Sequence, residues 1–398
     1  MEYALLQAVI LPLLLAPVAY VIGRKLGPTL AMWFTFGILL YTTILIINAA
    51  LSGTVEEHYP WTTQFGEFGF LLDGLASPFA IMIYVLSTIL VLYSKPYMLH
   101  IFHHQFEEEH KINSSGSGQT SIVESSALSS YVNAKSGLYF ALYLLFAMGM
   151  LGTVLSTNLI EFFIFFEIML IPGFFLVALW GAGNRRKIGL MFLFWTHSGA
   201  VVLLLGFLMI GLTVGSFDFV DINESDIPQD IAMISAVAIA LGLGVKLAVF
   251  MFHIWLPYVH GAAPTPISAL LSPAMIGIGA YGIFRLIVEF LPATFADLSI
   301  WFYIWGLVTM IYGGAMALMQ DDIKRLLAYS SISQMGYLLF GIGSMSALGL
   351  AGAEMMYVTH AIGKGILFMM AGIIIVKVGT RSLSKLGGLA GKMPITAV

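Results

Sequence analysis

The chain has 398 residues, of which 59% are apolar and 10% charged, with a net charge of −4 and a mean hydropathy of +0.95. A soluble domain carries about 25% charged residues, so this composition excludes a water-soluble fold and predicts an all-α polytopic membrane protein. The absence of cysteine excludes thiolate nucleophiles, disulfides, iron–sulfur clusters and Cys-ligated zinc in this chain. Negative net charge without a basic stripe excludes nucleic acid as a partner.

Windows of about 19 residues predict membrane helices near 3–22, 28–51, 74–94, 137–156, 158–180, 188–214, 231–256, 265–290, 298–320, 325–343 and 347–378, eleven in all, with the start of a twelfth at GKMPITAV. Glu2, and no basic segment, precedes the first helix, which therefore reads as uncleaved. The stretch 96–136 is Ser-rich and polar (SSGSGQTSIVESSALSS) and is expected to be a flexible cytoplasmic insertion. Its His100, His103, His104 and His110, with Glu107 to Glu109, lack a fixed ligand spacing and read as a solvated loop rather than a metal site. The acidic stretch GSFDFVDINESDIPQD (215–230) reads as a short ordered cap.

With the N-terminus outside, Arg24, Lys25, Lys95, Lys111, Lys135, Arg185, Arg186, Lys187, Lys324, Arg325, Lys377, Arg381, Lys385 and Lys392 all fall on the cytoplasmic side. The outer loops carry Glu56, Glu57, Glu67, Asp218, Asp221, Glu224, Asp226, Asp230 and Asp297 and no Lys or Arg, which is the positive-inside pattern.

The informative residues are the charges left in hydrocarbon, where a Lys or Asp at a helix centre costs about 2.5–3.5 kcal/mol. Glu167 falls near the middle of the fifth helix, Lys246 in the seventh and Lys364 in the eleventh, with His360 one turn before Lys364 on the same face. Gly242 and Gly244 precede Lys246 and Pro257, Pro264 and Pro266 follow it, which marks a discontinuous helix at about 242–266. His253 and His260, seven apart, are expected on one side of a helix through HIWLPYVH and add groups that titrate near neutral pH. A lysine whose protonation responds to a buried carboxylate has the physics of a proton relay. His197 reads first as a packed, hydrogen-bonded histidine, with an extension of the path as its alternative, and Arg285 with Glu289 as a structural i,i+4 pair near the outer interface.

The segments LSTNLIEFFIFFEIMLIPGFFLVALWG (155–181), GVKLAVFMFHIWLPYVHGAAPTPISALL (244–271), DDIKRLLAYSSISQMGYLLFGIG (321–343) and THAIGKGILFMMAG (359–372) resemble the antiporter-like membrane subunits of respiratory complex I, nearest the M chain or subunit 4 type. Related chains occur in multisubunit sodium/proton antiporters. The resemblance implies fourteen helices with two inverted five-helix repeats, each holding one broken helix. It also implies a hydrated relay along the membrane plane in which Glu167, Lys246, His360 and Lys364 take part. Gly277 stands where many relatives have a relay lysine, and Tyr258 where relatives have an aspartate. The expected organisation is three N-terminal helices (1–95), the insertion (96–136), a first repeat (137–290) and a second repeat (297–398) that reads as C-terminally truncated.

The functional expectation is a proton-translocating subunit of a complex I-like NADH (or other donor):quinone oxidoreductase in a prokaryotic cell membrane, rather than an organelle. Its relay would be Glu167, Lys246, His253, His260, His360 and Lys364. No cofactor or metal is expected on this chain; iron–sulfur, flavin and quinone belong to partner subunits of the membrane-embedded assembly. The transporter alternative is the D-type subunit of a sodium/proton antiporter without a redox partner. A haem-bearing electron carrier would need ligand pairs on facing helices, and a purely structural scaffold, also open, would predict that Glu167→Ala affects assembly alone.

Overall fold

The computed structural model of the chain describes residues 3–62, 65–111 and 122–397. Two antiparallel helices, α1 (Ala4–Leu26) and α2 (Pro28–Leu51), are joined at Gly27, whose φ of 94° a side chain would oppose, and Pro28 starts α2 with its preset φ. A hairpin follows that hydropathy does not reveal: β1 (Val55–Thr62) pairs with β2 (Gly66–Leu72), Val55 opposite Leu72 and Tyr59 opposite Phe68. Alternate β1 residues are half-buried, the signature of a strand lying on one face. Glu57 of this hairpin accepts the backbone N–H groups of Leu5 and Leu6, both at 2.9 Å, and so caps the otherwise uncapped α1.

Helices α3 (Ala76–Lys111) and α4 (Ile122–Leu155) are 36 and 34 residues long. At 1.5 Å per residue each spans roughly 50 Å, well beyond the ~30 Å hydrocarbon core. Both therefore run on into the 96–136 stretch, whose two ends are helical; residues 112–121 and the side chain of His110 lie outside the described residues. Next come α5 (Leu159–Trp180), capped by Asn158 through the N–H groups of Ile160 and Glu161, then α6 (Arg185–Val214) and the short α7 (Phe219–Glu224). The acidic loop thus does carry an ordered cap.

The predicted seventh helix is not continuous. α8 (Gln229–Leu247) ends one residue after Lys246, and the chain restarts as α9 (Trp255–Ala262). Ala248 (φ 56°) and Met251 (φ 77°) take left-handed conformations in the gap. Its freed backbone is satisfied by side chains: the indole N–H groups of Trp305 and Trp195 donate to the carbonyls of Phe250 and Phe252, both at 3.0 Å, and Thr309 Oγ1 accepts from Phe250 N at 3.1 Å. Irregular backbone at membrane depth persists only with such protein partners. Gly242 and Gly244 do not make the break; they lie inside α8. A Cβ at Gly242 would stand 2.6 Å from the Gly199 carbonyl, so this glycine permits close packing of α8 on α6.

The next crossing is composite: α10 (Thr265–Leu270), a π turn (Leu271–Met275), α11 (Gly277–Ile283) and a second π turn (Phe284–Glu289). This 265–289 segment is the buried centre of the fold, with α3, α4, α8 and α14 packed around it. α12 (Pro292–Leu318), α13 (Ile323–Gly343) and α14 (Ala347–Val378) complete the bundle, and one turn, α15 (Pro394–Ala397), follows. Ten crossings among the described residues are long and apolar enough to span a membrane, against eleven predicted; α13, with Lys324 and Arg325 in its first turn, is the one that falls short. The result is an all-helical membrane protein with a small hairpin on one face.

Candidate functional site

Glu167 on α5, His197 on α6 and Lys246 at the end of α8 meet beside the break. His197 Nδ1 lies 2.7 Å from Glu167 Oε2, while Glu167 Oε1 is buried with no hydrogen-bond partner. Lys246 is buried, its Nζ also without a hydrogen-bond partner and 4.6 Å from the ring centroid of Phe166, the neighbour of Glu167 in α5. The hydrogen-bond partner of Glu167 is thus His197, and the Lys246 ammonium rests against an aromatic face on the carboxylate's own turn. Buried polar atoms left unpaired in this way are exceptions that call for a functional explanation. His197, expected first as a packed histidine with an extension of the path as its alternative, is half exposed at 51% of its side chain. Which helix faces α5 is a tertiary fact that spacing within α6 does not carry.

His253 and His260 do not share a helix face. The break intervenes: His253 lies in the gap, its Nε2 3.1 Å from Tyr312 Oη of α12, whereas His260 lies in α9 and stacks on Phe368 of α14 with centroids 5.0 Å apart. Both ring nitrogens of His260 are buried without a partner. Lys324, read from sequence as a loop charge that sets orientation, is instead 3% exposed and donates to the Ala263 carbonyl at 2.5 Å, in the link between α9 and α10. Asp322 caps α13 through the N–H groups of Lys324 and Arg325 and pairs with Arg381 at 2.7 Å, which draws this first turn against α9. Lys324 also lines a cavity of about 560 Å³ together with His100, His104, Glu108, Arg185 and Arg381. Among the described residues no group of three or more His, Cys, Asp or Glu is placed to hold a metal ion.

His360 and Lys364 share one face of α14, as their spacing predicts. Lys364 Nζ donates to the Leu327 carbonyl at 3.1 Å and to Ser330 Oγ, both on α13. His360 is buried with Nε2 unpartnered, beside the π turn, where Ser272 and Ser331 join their hydroxyls at 2.7 Å. The buried titratable side chains therefore fall into two groups, Glu167–His197–Lys246 and His260–His360–Lys364. Gly277 opens α11, and a Cβ there would stand 2.1 Å from Cε2 of Tyr357, so that ring already fills the place a side chain would take.

Arg285 is 2% exposed and is more than half of a local pair. It reaches both carboxylate oxygens of Asp73 at 2.7 Å as well as Glu289 at 2.7 Å, and so ties the entry of α3 to the second π turn. Asp73 was invisible to an i,i+4 reading because it lies 212 residues away.

Residues 156–398 match the family model described as NADH:quinone oxidoreductase/Mrp antiporter, TM. NAD(P)H-quinone oxidoreductase chain 4 of Microcystis aeruginosa is 29% identical over 398 residues, which cover 97% of this chain and 66% of that one. The chain spans about half to two thirds of the length of the curated relatives it matches. The Mrp complex from Dietzia contains a chain that is 27% identical, with a TM-score of 0.79 over 99% of this chain and 40% of its own. Respiratory complex I from Thermus thermophilus contains one with the same fold, at a TM-score of 0.80 and 23% identity over 98% of this chain and 76% of its own. With more than half of its length matched to that model and the same fold, the chain belongs to the transmembrane family of NADH:quinone oxidoreductase and Mrp antiporter subunits.

Proposed function

We propose that this chain is the proton-translocating, antiporter-like subunit of a complex I-like NADH (or other donor):quinone oxidoreductase. The observation that carries the reading is the burial of the Lys246 ammonium and Glu167 Oε1, both without hydrogen-bond partners, at the gap of a broken helix. A charge held there at a cost of a few kcal/mol is suited to moving a proton and poorly suited to holding the fold. Lys324, which lines the cavity shared with Arg185 and Arg381, and His260 give protons access from that side. His253, His360 and Lys364 carry the path onward, and half-exposed His197 opens it toward a neighbouring subunit.

The redox chemistry, with its iron–sulfur, flavin and quinone groups, belongs to partner subunits, and this chain meets the other membrane-arm subunits and the lipid bilayer. Its setting is a prokaryotic cell membrane with the N-terminus outside. The chain divides into three N-terminal helices (1–95), the 96–136 stretch and two repeats (137–290 and 297–398), with the hydrated relay along their midplane.

A second reading is favoured by the 27% identity to the Dietzia Mrp complex chain: a D-type subunit of a sodium/proton antiporter, without a redox partner. The composition of the native complex separates the two. Co-purification with iron–sulfur and quinone-site subunits supports the oxidoreductase; small antiporter subunits alone would reject it.

A further inference from the structure

The ends of five helices meet around the last turn of α9. α5 stops at Trp180, α9 at Ala262 and α14 at Val378, while α6 starts at Arg185 and α13 at Ile323. Three successive carbonyls at the end of α9 each accept from a different segment: Gly261 from Arg381 Nη1 at 2.6 Å, Ala262 from Ala182 N at 2.8 Å and Ala263 from Lys324 Nζ at 2.5 Å. These bonds draw cationic side chains to one place but use only part of what they can donate, since guanidinium and ammonium groups carry several N–H donors. Arg381 also pairs with Asp322, at 2.7 Å.

Two cavities adjoin this point and share Gly261, Ala262 and Arg381 in their walls. The first, of about 560 Å³, is also lined by Arg185, Lys324 and Trp180. Glu108 is the one carboxylate in its lining, and it lies 3.5 Å from His104 Nδ1. Trp180 is 2% exposed and its indole N–H has no hydrogen-bond partner, whereas a buried indole usually finds one. The second cavity, of about 670 Å³, is lined by Lys187 and Arg325 and by no carboxylate. The Arg325 guanidinium lies 5.6 Å from the Tyr258 ring centroid, and among the described residues neither it nor Arg185 or Lys187 enters an ion pair. Ile188, Met191 and Ile254 form the apolar side of this second cavity, and Ile254 is 45% exposed.

Positive charge at these helix ends agrees with orientation by the positive-inside pattern. Orientation alone gives no reason for the cations to converge on cavities poor in carboxylates, nor for a buried donor without an acceptor. A negatively charged group that only accepts hydrogen bonds meets both features, and phosphate oxygens match the guanidinium fork. The apolar side of the second cavity, at the level where the helices end, suits a phosphate that carries acyl chains, and basic pockets between membrane helices recognise lipid headgroups. We infer that the two cavities hold the phosphate headgroup of an anionic phospholipid. Arg381, common to both walls, marks the place of the phosphate. The headgroup extends into the first cavity, toward Arg185 and the Trp180 indole, and the acyl chains leave the second over Ile188, Met191 and Ile254. Such a lipid ties the link between α5 and α6 to the end of α9, and its binding is independent of proton translocation.

The test is hydrogen exchange of the native complex in nanodiscs, read on peptides covering 181–188 and 258–264. Nanodiscs of phosphatidylcholine alone are compared with nanodiscs that also contain phosphatidylglycerol, and with phosphatidylcholine nanodiscs in inorganic phosphate. Phosphatidylglycerol is expected to slow exchange in both peptides roughly tenfold, the protection given by a ligand at about ten times its dissociation constant. Inorganic phosphate should have no such effect. Arg185→Gln combined with Arg325→Gln is expected to abolish the protection. Lys187→Gln changes an exposed side chain, so the fold is kept, and should weaken it. Equal protection by inorganic phosphate would overturn the lipid as the ligand. Absence of protection by phosphatidylglycerol, or undiminished protection in the variants, would overturn the site itself.

Discussion

His197 Nδ1 lies 2.7 Å from Glu167 Oε2 and joins α5 to α6 beside the gap in the broken helix. The contact uses one carboxylate oxygen and leaves the other buried and unpartnered, so the histidine fixes the orientation of the carboxyl group. His197→Ala is expected to slow proton translocation roughly tenfold, the equivalent of one charge-assisted hydrogen bond. His197→Gln, which keeps a donor, should lose less. Pumping rates of the two assembled variants at equal expression check the order.

Gly277 and Tyr357 make a steric prediction that is independent of proton transfer. Gly277→Ala drives a methyl into the phenol ring and should destabilise the protein by about 1–3 kcal/mol, the usual range for overpacking. The same substitution combined with Tyr357→Ala should recover part of that loss, because the ring that blocks the methyl is gone. A double-mutant cycle on thermal melting of the complex measures the coupling; additive losses would show that the two sites do not touch.

The Arg285 cluster is structural and unequal. Asp73 engages the buried guanidinium with both oxygens and is itself mostly sheltered, whereas Glu289 is more exposed. Removing one partner of a buried pair strands the other charge, so Asp73→Ala should cost about 3–5 kcal/mol. Glu289→Ala should cost about 1 kcal/mol or less. Melting temperatures of the two variants, with Glu289→Ala the milder, test this.

Outside the membrane, Asp321 fastens the segment after α14: Oδ2 accepts from Ser382 Oγ at 2.5 Å and Oδ1 from Ser384 N at 2.7 Å. The Ser382 hydroxyl and the Ser384 N–H hold its carboxyl below the usual aspartate value. A folded value lower than the unfolded one means the contact contributes fully above the unfolded value and is lost as pH falls through the folded one. Protection of the amides at 382–386, taken relative to their intrinsic exchange rates, should therefore fall in acid and be constant near neutrality, and Asp321→Asn should lower that protection at neutral pH. Equal exchange in the variant and the wild type at neutral pH would contradict the assignment.

Most of the bundle was legible because charge is so sparse: uninterrupted apolar runs mark α1, α2, α5, α6 and α14 closely. The break near Lys246 was legible, since glycines and prolines crowd the 242–266 region, though not which residues within it leave the helix. It falls at Ala248–Ile254, where tryptophan and threonine side chains from α6 and α12 supply the missing hydrogen bonds. The gap also separates His253 from His260, which a continuous helix would have aligned. Glu167, Lys246, His360 and Lys364 stood out because an intramembrane charge is conspicuous in one dimension. His197 was visible only as an alternative, and Lys324, Tyr357 and Asp73 were not, because their contacts are with partners distant in sequence: Glu167, Ala263, Gly277 and Arg285. The hairpin was hidden by its short alternating strands in a polar loop.

Glu167 and Lys246 are proposed to move protons, and the most direct measurement is the initial rate of proton translocation by the native complex carrying Lys246→Ala, with assembly checked on the same preparation. The expected result is an assembled complex whose proton translocation falls by roughly 100-fold or more, and with it any coupled quinone reduction. An assembled Lys246→Ala complex that pumps at the wild-type rate would contradict the account.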